Sequence, residues 1–295
     1  MADAPPIYLT TKELAELLRI GERKVYDLAN NGQVPCVRVI GKLLFPRSDV
    51  EAWIESSRSG PLPPAPLPSI VAGSHDPLLE WALRESGSGL AAFMDGSLDG
   101  LERLGNRDCM ACGAHIHEPD GEWNTQTVSR VLSGKPVVVI EFARRSRGLI
   151  VASGNPLEIG GIENVAGLRF ARRQHTAASQ QWFEELAEKA GVDLSGLKGP
   201  ESPARTEADV ALAVLDGKAD TAFGLEAMAR QFRLGFIPVA QERYDLVIWR
   251  QGYFEPAFQK LLHFLASPVF ASHADEMGGY DIAHAGAVHY NPDGF

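Results

Sequence analysis

Residues 8–45 read YLTTKELAELLRIGERKVYDLANNGQVPCVRVIGKLLF and begin with the signals of two short helices. Thr10 is placed to cap the first helix, because Glu13 follows at the spacing of a capping box and apolar residues follow with helical periodicity. A tight turn at Gly21 leads into a second helical segment over residues 22–30. The stretch therefore predicts two helices joined by a tight turn.

Two short β-rich runs follow the second helix, at residues 36–40 and 43–45, and Gly41-Lys42 between them predicts a small hairpin. Helix, turn, helix and hairpin in this order form a winged helix-turn-helix, whose second helix enters the major groove of DNA while the hairpin touches backbone or minor groove. We expect base contacts from the exposed start of the second helix, through Arg23, Lys24 and Tyr26. We expect phosphate contacts from the wing through three further cations, namely Arg38, Lys42 and Arg47.

The same region resembles the excisionase-type helix-turn-helix family over about residues 7–55. That family is similar to the DNA-binding part of MerR-like regulators, so the resemblance implies DNA binding. It also allows an alternative, an accessory protein of DNA excision or recombination, which leaves the remainder of the chain unexplained. The match is carried by residues 8–18, Lys24-Val25-Tyr26, Gly32, Val34-Pro35 and Phe45.

The charge of the chain is unevenly distributed. The net charge is −10, yet residues 1–60 hold eight Lys/Arg and eight Asp/Glu, so the acidic excess lies after residue 60. An electrically neutral head binds DNA weakly on its own, which predicts a homodimer or higher homo-oligomer on paired half-sites. No apolar run approaches the roughly 20 residues that a bilayer requires, and the first 30 residues lack a secretory pattern. We therefore expect a cytoplasmic protein with no membrane partner.

A proline-rich segment, SSRSGPLPPAPLP at residues 56–68, reads as an extended spacer. It predicts a winged helix-turn-helix domain at 1–55, a linker at 56–68 and a ligand-sensing domain at 69–295. After the linker, the pattern of strand, loop and helix repeats, which favours an α/β fold with parallel strands.

Four hydroxyl residues stand where a loop opens into a predicted helix, namely Ser74, Ser97, Thr176 and Thr206. Helix N-termini present unpaired amides and the positive end of the helix dipole, so four converging ends could bind one anion with few formal charges. That arrangement reconciles an acidic domain with an anionic ligand. Each residue would equally serve as a simple cap, and Thr206 with Asp209 has the spacing of a capping box.

The region after the linker resembles the periplasmic-binding-protein-like sensor family related to molybdate-binding proteins, which is often fused to this kind of helix-turn-helix. The resemblance implies a two-lobed type II periplasmic-binding-protein-like domain that binds its ligand in a cleft. Lobe one would comprise about 69–146 and 245–295, and lobe two about 150–240. The match is carried by residues 72–79, Gly96-Ser97 with Gly100-Leu101, His115, 121–124, Gly148-Leu149, 154–156, Arg173-Gln174, 217–220, 224–226 and 242–246.

Carried over onto this chain, the resemblance places Ser74 and Ser97 on one side of the ligand and the helix start at Thr206 on the other, together with a turn formed by Thr176, Ala177, Ala178 and Ser179. Further candidates, which would equally pack or pair elsewhere, are His115, Arg145 and Tyr244. The family's Gly-Ser-Gly-Thr-Arg stretch is replaced here by HTAASQ at residues 175–180, which lacks the basic side chain. Molybdate or tungstate leads among possible effectors, another oxyanion or a small organic acid stays open, and no cofactor is expected.

A competing reading concerns four potential metal ligands close together in sequence, namely Cys109, Cys112, His115 and His117. Thiols and imidazoles suit zinc, which would make the protein a metal-responsive regulator. The family resemblance places this stretch on a buried strand, where cysteine is simply a small apolar residue, so the preferred prediction contains no metal. The chain contains no Gly-x-Ser-x-Gly elbow, phosphate loop or His-Glu-x-x-His motif, so we expect no enzymatic activity.

Overall fold

The computed structural model describes residues 6–57 and 65–292, and the chain divides into two compact units, Met1–Pro66 and Leu67–Phe295. The N-terminal unit contains a three-stranded antiparallel sheet in the order β1-β3-β2 and three helices. Its elements are β1 (Tyr8–Leu9), α1 (Thr11–Leu18), α2 (Glu22–Asn30), β2 (Val37–Val39), β3 (Lys42–Pro46) and α3 (Arg47–Ser56).

The two predicted helices form where the local signals place them. Thr10 caps α1 in a complete capping box with Glu13, and α2 begins directly after Gly21. Leu14 and Val25 are fully buried between the helices, whereas Leu17 is 47% exposed, so the apolar face of α1 is narrower than its sequence suggests. The small core that results holds the second helix against the hairpin.

The turn of the hairpin lies one residue earlier than predicted. Val39 pairs with Lys42, so the two turn residues are Ile40 and Gly41 instead of Gly41 and Lys42. Both have positive φ, 48° and 76°, which is the requirement of a two-residue hairpin turn. An isoleucine in this conformation is unusual because its branched Cβ crowds the backbone there. The preference of glycine for turns therefore predicted the position of the hairpin turn, but it did not predict that Ile40 is the first turn residue.

The C-terminal unit is built on one nine-stranded sheet with the order β5-β4-β6-β10-β7-β9-β8, and β11 and β12 also pair with β7. The strands are β4 (Ile70–Gly73), β5 (Ala91–Met94), β6 (Ala111–Ala114), β7 (Val137–Val151), β8 (Phe170–Ala171), β9 (Thr221–Leu225), β10 (Gly235–Trp249), β11 (Tyr280–Asp281) and β12 (Val288–Tyr290). The helices are α4 (Pro77–Glu85), α5 (Ser97–Gly105), α6 (Thr125–Val131), α7 (Ala178–Lys189), α8 (Glu207–Leu215), α9 (Glu226–Gln231), α10 (Arg250–Tyr253), α11 (Pro256–Leu265) and α12 (Pro268–Met277).

Two long antiparallel strands, β7 and β10, connect two lobes. They pair from Gly235 opposite Val151 to Trp249 opposite Val137. One end of this ribbon joins the parallel strands β4, β5 and β6, while the other end joins β8 and β9, which are parallel to each other. The predicted α/β fold with two lobes and crossover strands is therefore confirmed.

Each lobe has an apolar core of its own, and the middle of the ribbon lies between the cores. Phe142 and Leu101 are fully buried in the first core, while Phe170 and Phe183 stack in the second. Between them, β7 and β10 carry charged residues that are also buried. Burying charge is costly unless partners are close, so this middle region marks a candidate site. No helix in the described part of the chain is long and apolar enough to cross a membrane.

Candidate functional site

A concave surface of about 510 Å³ lies between α2 and the hairpin of the N-terminal unit. Tyr26 of α2 and the wing residues Arg38 and Lys42, three of the residues predicted to contact DNA, line it together. Lys12, at the start of α1, also lines it, although helical periodicity alone did not show that this lysine faces the hairpin. The surface combines cationic side chains with an aromatic ring, a composition suited to a nucleic-acid backbone.

The remaining residues predicted to contact DNA are Arg23, Lys24 and Arg47. Arg23 and Lys24 are exposed at the start of α2. Arg47, in contrast, does not lie in the wing, because it is the first residue of α3 and its Nε donates to the Pro6 carbonyl at 3.1 Å. Arg38 is oriented by a 2.8 Å hydrogen bond to Asn30. The prediction of a wing location was therefore wrong for Arg47 and correct for Arg38.

The site of the C-terminal unit begins with His115, which follows β6 and is 3% exposed. Its Nε2 lies 2.8 Å from the Ser74 hydroxyl, its Nδ1 lies 2.9 Å from Glu242, and its backbone N–H donates to Ser97 at 3.3 Å. Burial lowers the pKa of His115 against the pull of Glu242, so the ring is neutral. Since an ionised Glu242 only accepts, Nδ1 carries the proton and the Ser74 hydroxyl donates to Nε2.

Tyr244 lies beneath this group and its hydroxyl donates to the Ser74 carbonyl at 2.5 Å. Two glycines allow the close approach. A Cβ on Gly113 would lie 1.8 Å from the Tyr244 hydroxyl oxygen, and a Cβ on Gly73 would lie 2.2 Å from the Gly113 carbonyl oxygen. Four predicted residues, Ser74, Ser97, His115 and Tyr244, are thus brought together by close contact between strands β4, β6 and β10.

Arg145, also predicted, lies beside this group on β7 and is fully buried. Its Nη1 is 2.9 Å from Asp76 and its Nη2 is 2.6 Å from Glu242. Its guanidinium also covers the Tyr244 ring at 4.3 Å. Asp76 in turn accepts from the backbone N–H of Leu79 at 2.7 Å, so Asp76 caps α4 and the predicted cap at Ser74 is wrong.

Arg147 was not predicted, although it follows Arg145 by two residues on the same face of β7. Its Nε donates to Glu242 at 2.8 Å, while its two terminal nitrogens donate to the two oxygens of Glu207 at 2.9 and 3.0 Å. The two arginines hold the pKa of Glu242 far below its usual range against the cost of burial, and Arg147 with Arg173 lowers that of Glu207 to about 2. Both carboxylates are therefore ionised.

The second lobe contributes Arg173 and the starts of α7 and α8. Arg173 Nη1 donates to Glu207 at 2.8 Å and Nη2 donates to the Arg205 carbonyl at 2.9 Å. The Thr206 hydroxyl caps α8 by accepting from the backbone N–H of Asp209 at 3.1 Å, and the next residue, Glu207, turns toward the arginines. The capping box of Thr206 with Asp209 is therefore confirmed, and the ligand role of Thr206 stays a prediction.

The predicted turn at Thr176, Ala177, Ala178 and Ser179 does form a helix start, but α7 begins at Ala178 and no side chain caps it. Thr176 is exposed, whereas Ala177 and Ser179 are buried. Five residues of the cluster were not predicted as site residues, namely Asp76, Arg147, Arg173, Glu207 and Glu242. Among them, Arg147 left a usable signal, because charges interrupt the apolar strand reading VVVIEFARRSRGLIV at 137–151. A buried charge requires a partner, but the pattern does not identify that partner.

The four residues of the alternative zinc site, Cys109, Cys112, His115 and His117, each have other partners. Cys109 and Cys112 belong to the apolar core of lobe one, and burial raises the pKa of the Cys109 thiol to about 12. His115 is bonded to Ser74 and Glu242, while His117 lies 3.0 Å from Glu185 of α7. Within residues 6–57 and 65–292, no three His, Cys, Asp or Glu side chains are arranged to hold a metal ion.

The comparisons with known proteins agree with this division of the chain. A family model described as a helix-turn-helix domain matches residues 8–58, and one described as a PBP superfamily domain matches residues 80–266. The uncharacterized protein YvgK of Bacillus subtilis is 25% identical over 302 residues, which cover 95% of this chain and 96% of YvgK. A protein encoded in the 5′ region of a Clostridium pasteurianum 2Fe-2S ferredoxin gene is 33% identical over 107 residues, 36% of this chain.

Solved structures show the same fold at low sequence identity. A phosphate-bound ABC-transporter substrate-binding protein from Clostridium perfringens is 11% identical with a TM-score of 0.52, over 74% of this chain and 98% of its own. A hydrogen-peroxide-bound variant of OxyR from Corynebacterium glutamicum is 12% identical with a TM-score of 0.51, over 91% and 89% of the two chains. With two lobes, a connecting ribbon and a family model that spans more than half of its residues, this chain belongs to the PBP superfamily and has a helix-turn-helix domain at its N-terminus.

Proposed function

We propose that this protein is a one-component, DNA-binding transcription regulator whose C-terminal unit senses a small anion. The observation that carries the proposal is the buried cluster between the lobes, where the guanidinium groups of Arg145, Arg147 and Arg173 meet carboxylates and the start of α8. Buried guanidinium groups with fixed geometry are the side chains best suited to bind carboxylates and oxyanions. In its fold relative from Clostridium perfringens, the bound molecule is phosphate.

The ligand class follows from the same residues. Ser74, Ser97 and His115 supply hydrogen-bonding groups of lobe one, and the start of α7, with Ala177, Ala178 and Ser179, faces the ligand from lobe two. Small oxyanions fit such a set, with molybdate and tungstate first among those to test. An accessory role in DNA excision or recombination would not require the ligand-binding type of domain at residues 80–266.

The expected mechanism is closure of the two lobes on the anion, which alters the spacing of two DNA-binding heads. The division that serves this role is a DNA-binding domain at 1–55, a linker at 56–68 and a sensor at 69–295. Residues 1–60 have no net charge, which favours a homodimer whose two heads bind paired half-sites of operator DNA. A role on operator DNA is consistent with a cytoplasmic location. Light scattering of the purified full chain tests the dimer, and a monomer would contradict it.

A thermal-shift screen of the full chain tests the sensor. The panel holds molybdate, tungstate, sulfate, phosphate, acetate and lactate at constant ionic strength, and a ligand at 100 times its Kd stabilises the folded state by about 2.7 kcal/mol. Ser97→Ala should weaken the shift because the hydroxyl lies inside the cluster, whereas Ser195→Ala, in an exposed loop, should leave it intact. If no anion in the panel shifts the transition, the anion-sensing role is wrong.

Tryptophan fluorescence supplies an independent readout of lobe movement. Trp182 of α7 contacts the Trp123 ring at a centroid distance of 4.8 Å, and His117 stacks on Trp182 at 5.6 Å. His117 follows β6 of lobe one and α7 belongs to lobe two, so closure should change the indole environment. DNA binding is tested separately, by selecting operator sequences with the full chain and measuring anisotropy. Absence of any selected sequence would contradict the regulator.

A further inference from the structure

Glu207 is the first residue of α8, yet its side chain points inward and the residue is only 2% exposed. Both of its oxygens are held by Arg147, at 2.9 and 3.0 Å, and one of them also lies 2.8 Å from Arg173. This paired arrangement is how guanidinium groups bind a free carboxylate or oxyanion. Glu207 thus occupies the position that an anionic ligand would take between the two lobes.

The cluster is already electrically balanced without a ligand. It contains three guanidinium groups, Arg145, Arg147 and Arg173, and three carboxylates, Asp76, Glu207 and Glu242. His115 is neutral because burial lowers its pKa. An anion added to this cluster would leave an uncompensated buried charge, which is strongly unfavourable. An anion that replaces one of the carboxylates leaves the balance as it is.

The cluster also holds hydrogen-bond donors that are not used. Within the described residues, the Nε groups of Arg145 and Arg173 are buried without a hydrogen-bond partner. A buried donor without an acceptor destabilises the folded protein, and a ligand that accepts from it would recover that loss. The side chain of Arg173 is 9% exposed, and Arg145 is fully enclosed. Both donors belong to the same cations that surround the carboxylates.

We propose that Glu207 is a built-in competitor for the ligand site, which the carboxylate or oxyanion group of the effector displaces from Arg147 and Arg173. The proposal rests on the anion-sensing role above. It adds that Glu207 sets the affinity of the cluster for the anionic effector. Because Glu207 begins α8, displacement also frees the start of that helix from the cluster. Ligand exchange therefore acts directly on an element of lobe two.

Isothermal titration calorimetry on the full chain tests the competitor. Molybdate, sulfate, phosphate and acetate serve as probes at constant ionic strength, against wild type and Glu207→Gln. Gln keeps the size of the side chain but cannot form the charged pair, so anions should bind at least about tenfold more tightly, equivalent to about 1.4 kcal/mol. Circular dichroism melts establish that each variant is folded. Glu207→Asp, whose shorter side chain keeps the charge but reaches the arginines less well, should give a smaller gain.

Asp76→Asn is the charge-matched comparator. This variant also removes one carboxylate from the cluster, but the carboxylate of Asp76 pairs with Arg145 and not with Arg147 or Arg173. Asparagine retains the ability to cap α4. We expect less than a threefold gain in this variant. Equal tightening in Asp76→Asn and Glu207→Gln would show that charge alone matters and would overturn the competitor. Unchanged affinity in both Glu207 variants would overturn it while wild-type binding, and thus the sensor, stands. Absence of binding by wild type and every variant would reject both proposals.

Discussion

The cations of the two units lie in opposite environments. Arg23 and Lys24 of the DNA-binding unit are exposed on α2, whereas Arg145 and Arg147 of the sensor are fully buried between carboxylates. An exposed cation is hydrated and keeps its charge available for a phosphate outside the protein. A buried cation is already neutralised, so it responds only to a ligand that replaces an internal partner. The first arrangement suits rapid, salt-sensitive contact, while the second suits selective recognition.

The largest effect is expected from removing a buried cation. Arg147→Met leaves Glu207 and Glu242 buried with fewer partners, which should lower the free energy of unfolding by about 3–5 kcal/mol. Urea unfolding of the full chain, followed by near-UV circular dichroism, measures this loss. Arg169→Met is the matched control, because Arg169 pairs with Asp220 at 2.5 Å but its side chain is 50% exposed. The control should lose no more than about 1 kcal/mol, and equal losses would contradict the contrast between the environments.

Acid should affect the buried cluster in two separate windows. Burial lowers the pKa of His115 below 6.5, so its contribution to stability is complete above pH 6.5 and is lost as pH falls below that value. The pKa of Glu207 is lowered from 4.5 to about 2, so its contribution is complete above pH 4.5 and is lost between pH 4.5 and 2. Urea unfolding at pH 7.5, 5.5 and 4 should show the first window in wild type.

His115→Gln should remove the loss between pH 7.5 and 5.5, because the variant lacks the group that takes up a proton on unfolding. Glu207→Gln should retain that loss and weaken the one below pH 4.5. The exposed His263 of α11 provides the control, since His263→Gln should leave both windows in place. The same pH dependence of stability between pH 7.5 and 5.5 in wild type and in His115→Gln would contradict the assignment of His115.

The two regions also differ in how far sequence alone predicts them. The helix-turn-helix was predicted almost completely because its signals are local: a capping box at Thr10 and Glu13, a turn at Gly21 and a hairpin. Arg47 was wrongly assigned to the wing although it begins α3, and the first residue of the hairpin turn was misplaced. There, Ile40 adopts a conformation that sequence rules reserve for Gly, Asn or Asp.

The sensor site was predicted in part. The family resemblance supplied Ser74, Ser97 and His115, which the structure brings together. It did not supply the pair between Arg147 and Glu207, because that contact joins residues 60 positions apart and depends on where α8 starts relative to β7. Because side chains alternate between the two faces of a strand, the sequence indicates that a charged residue is buried. Which residue pairs with it depends on the tertiary structure.

A smaller effect is expected from the exposed cations. Arg23→Ala or Lys24→Ala should weaken binding to a selected operator by about tenfold and, for a phosphate contact, reduce the salt slope by about one. Neither substitution should change the free energy of unfolding by more than about 0.5 kcal/mol, because both side chains are exposed. Lys189→Ala, an exposed cation of α7, is the matched control for charge. Comparable losses of DNA affinity in all three variants would contradict the prediction that α2 contacts DNA.

The smallest effect concerns strain at the wing tip, where Ile40 is 98% exposed and has a φ of 48°. Asparagine adopts left-handed backbone more readily than a β-branched residue, so Ile40→Asn should stabilise the N-terminal unit by about 1 kcal/mol. Hydrogen exchange of peptides from the hairpin, measured by mass spectrometry on the full chain, should slow accordingly. Ile40→Val keeps the branched Cβ and should give no gain. Slower exchange in both variants would mean that backbone strain is not the cause, since only asparagine relieves it.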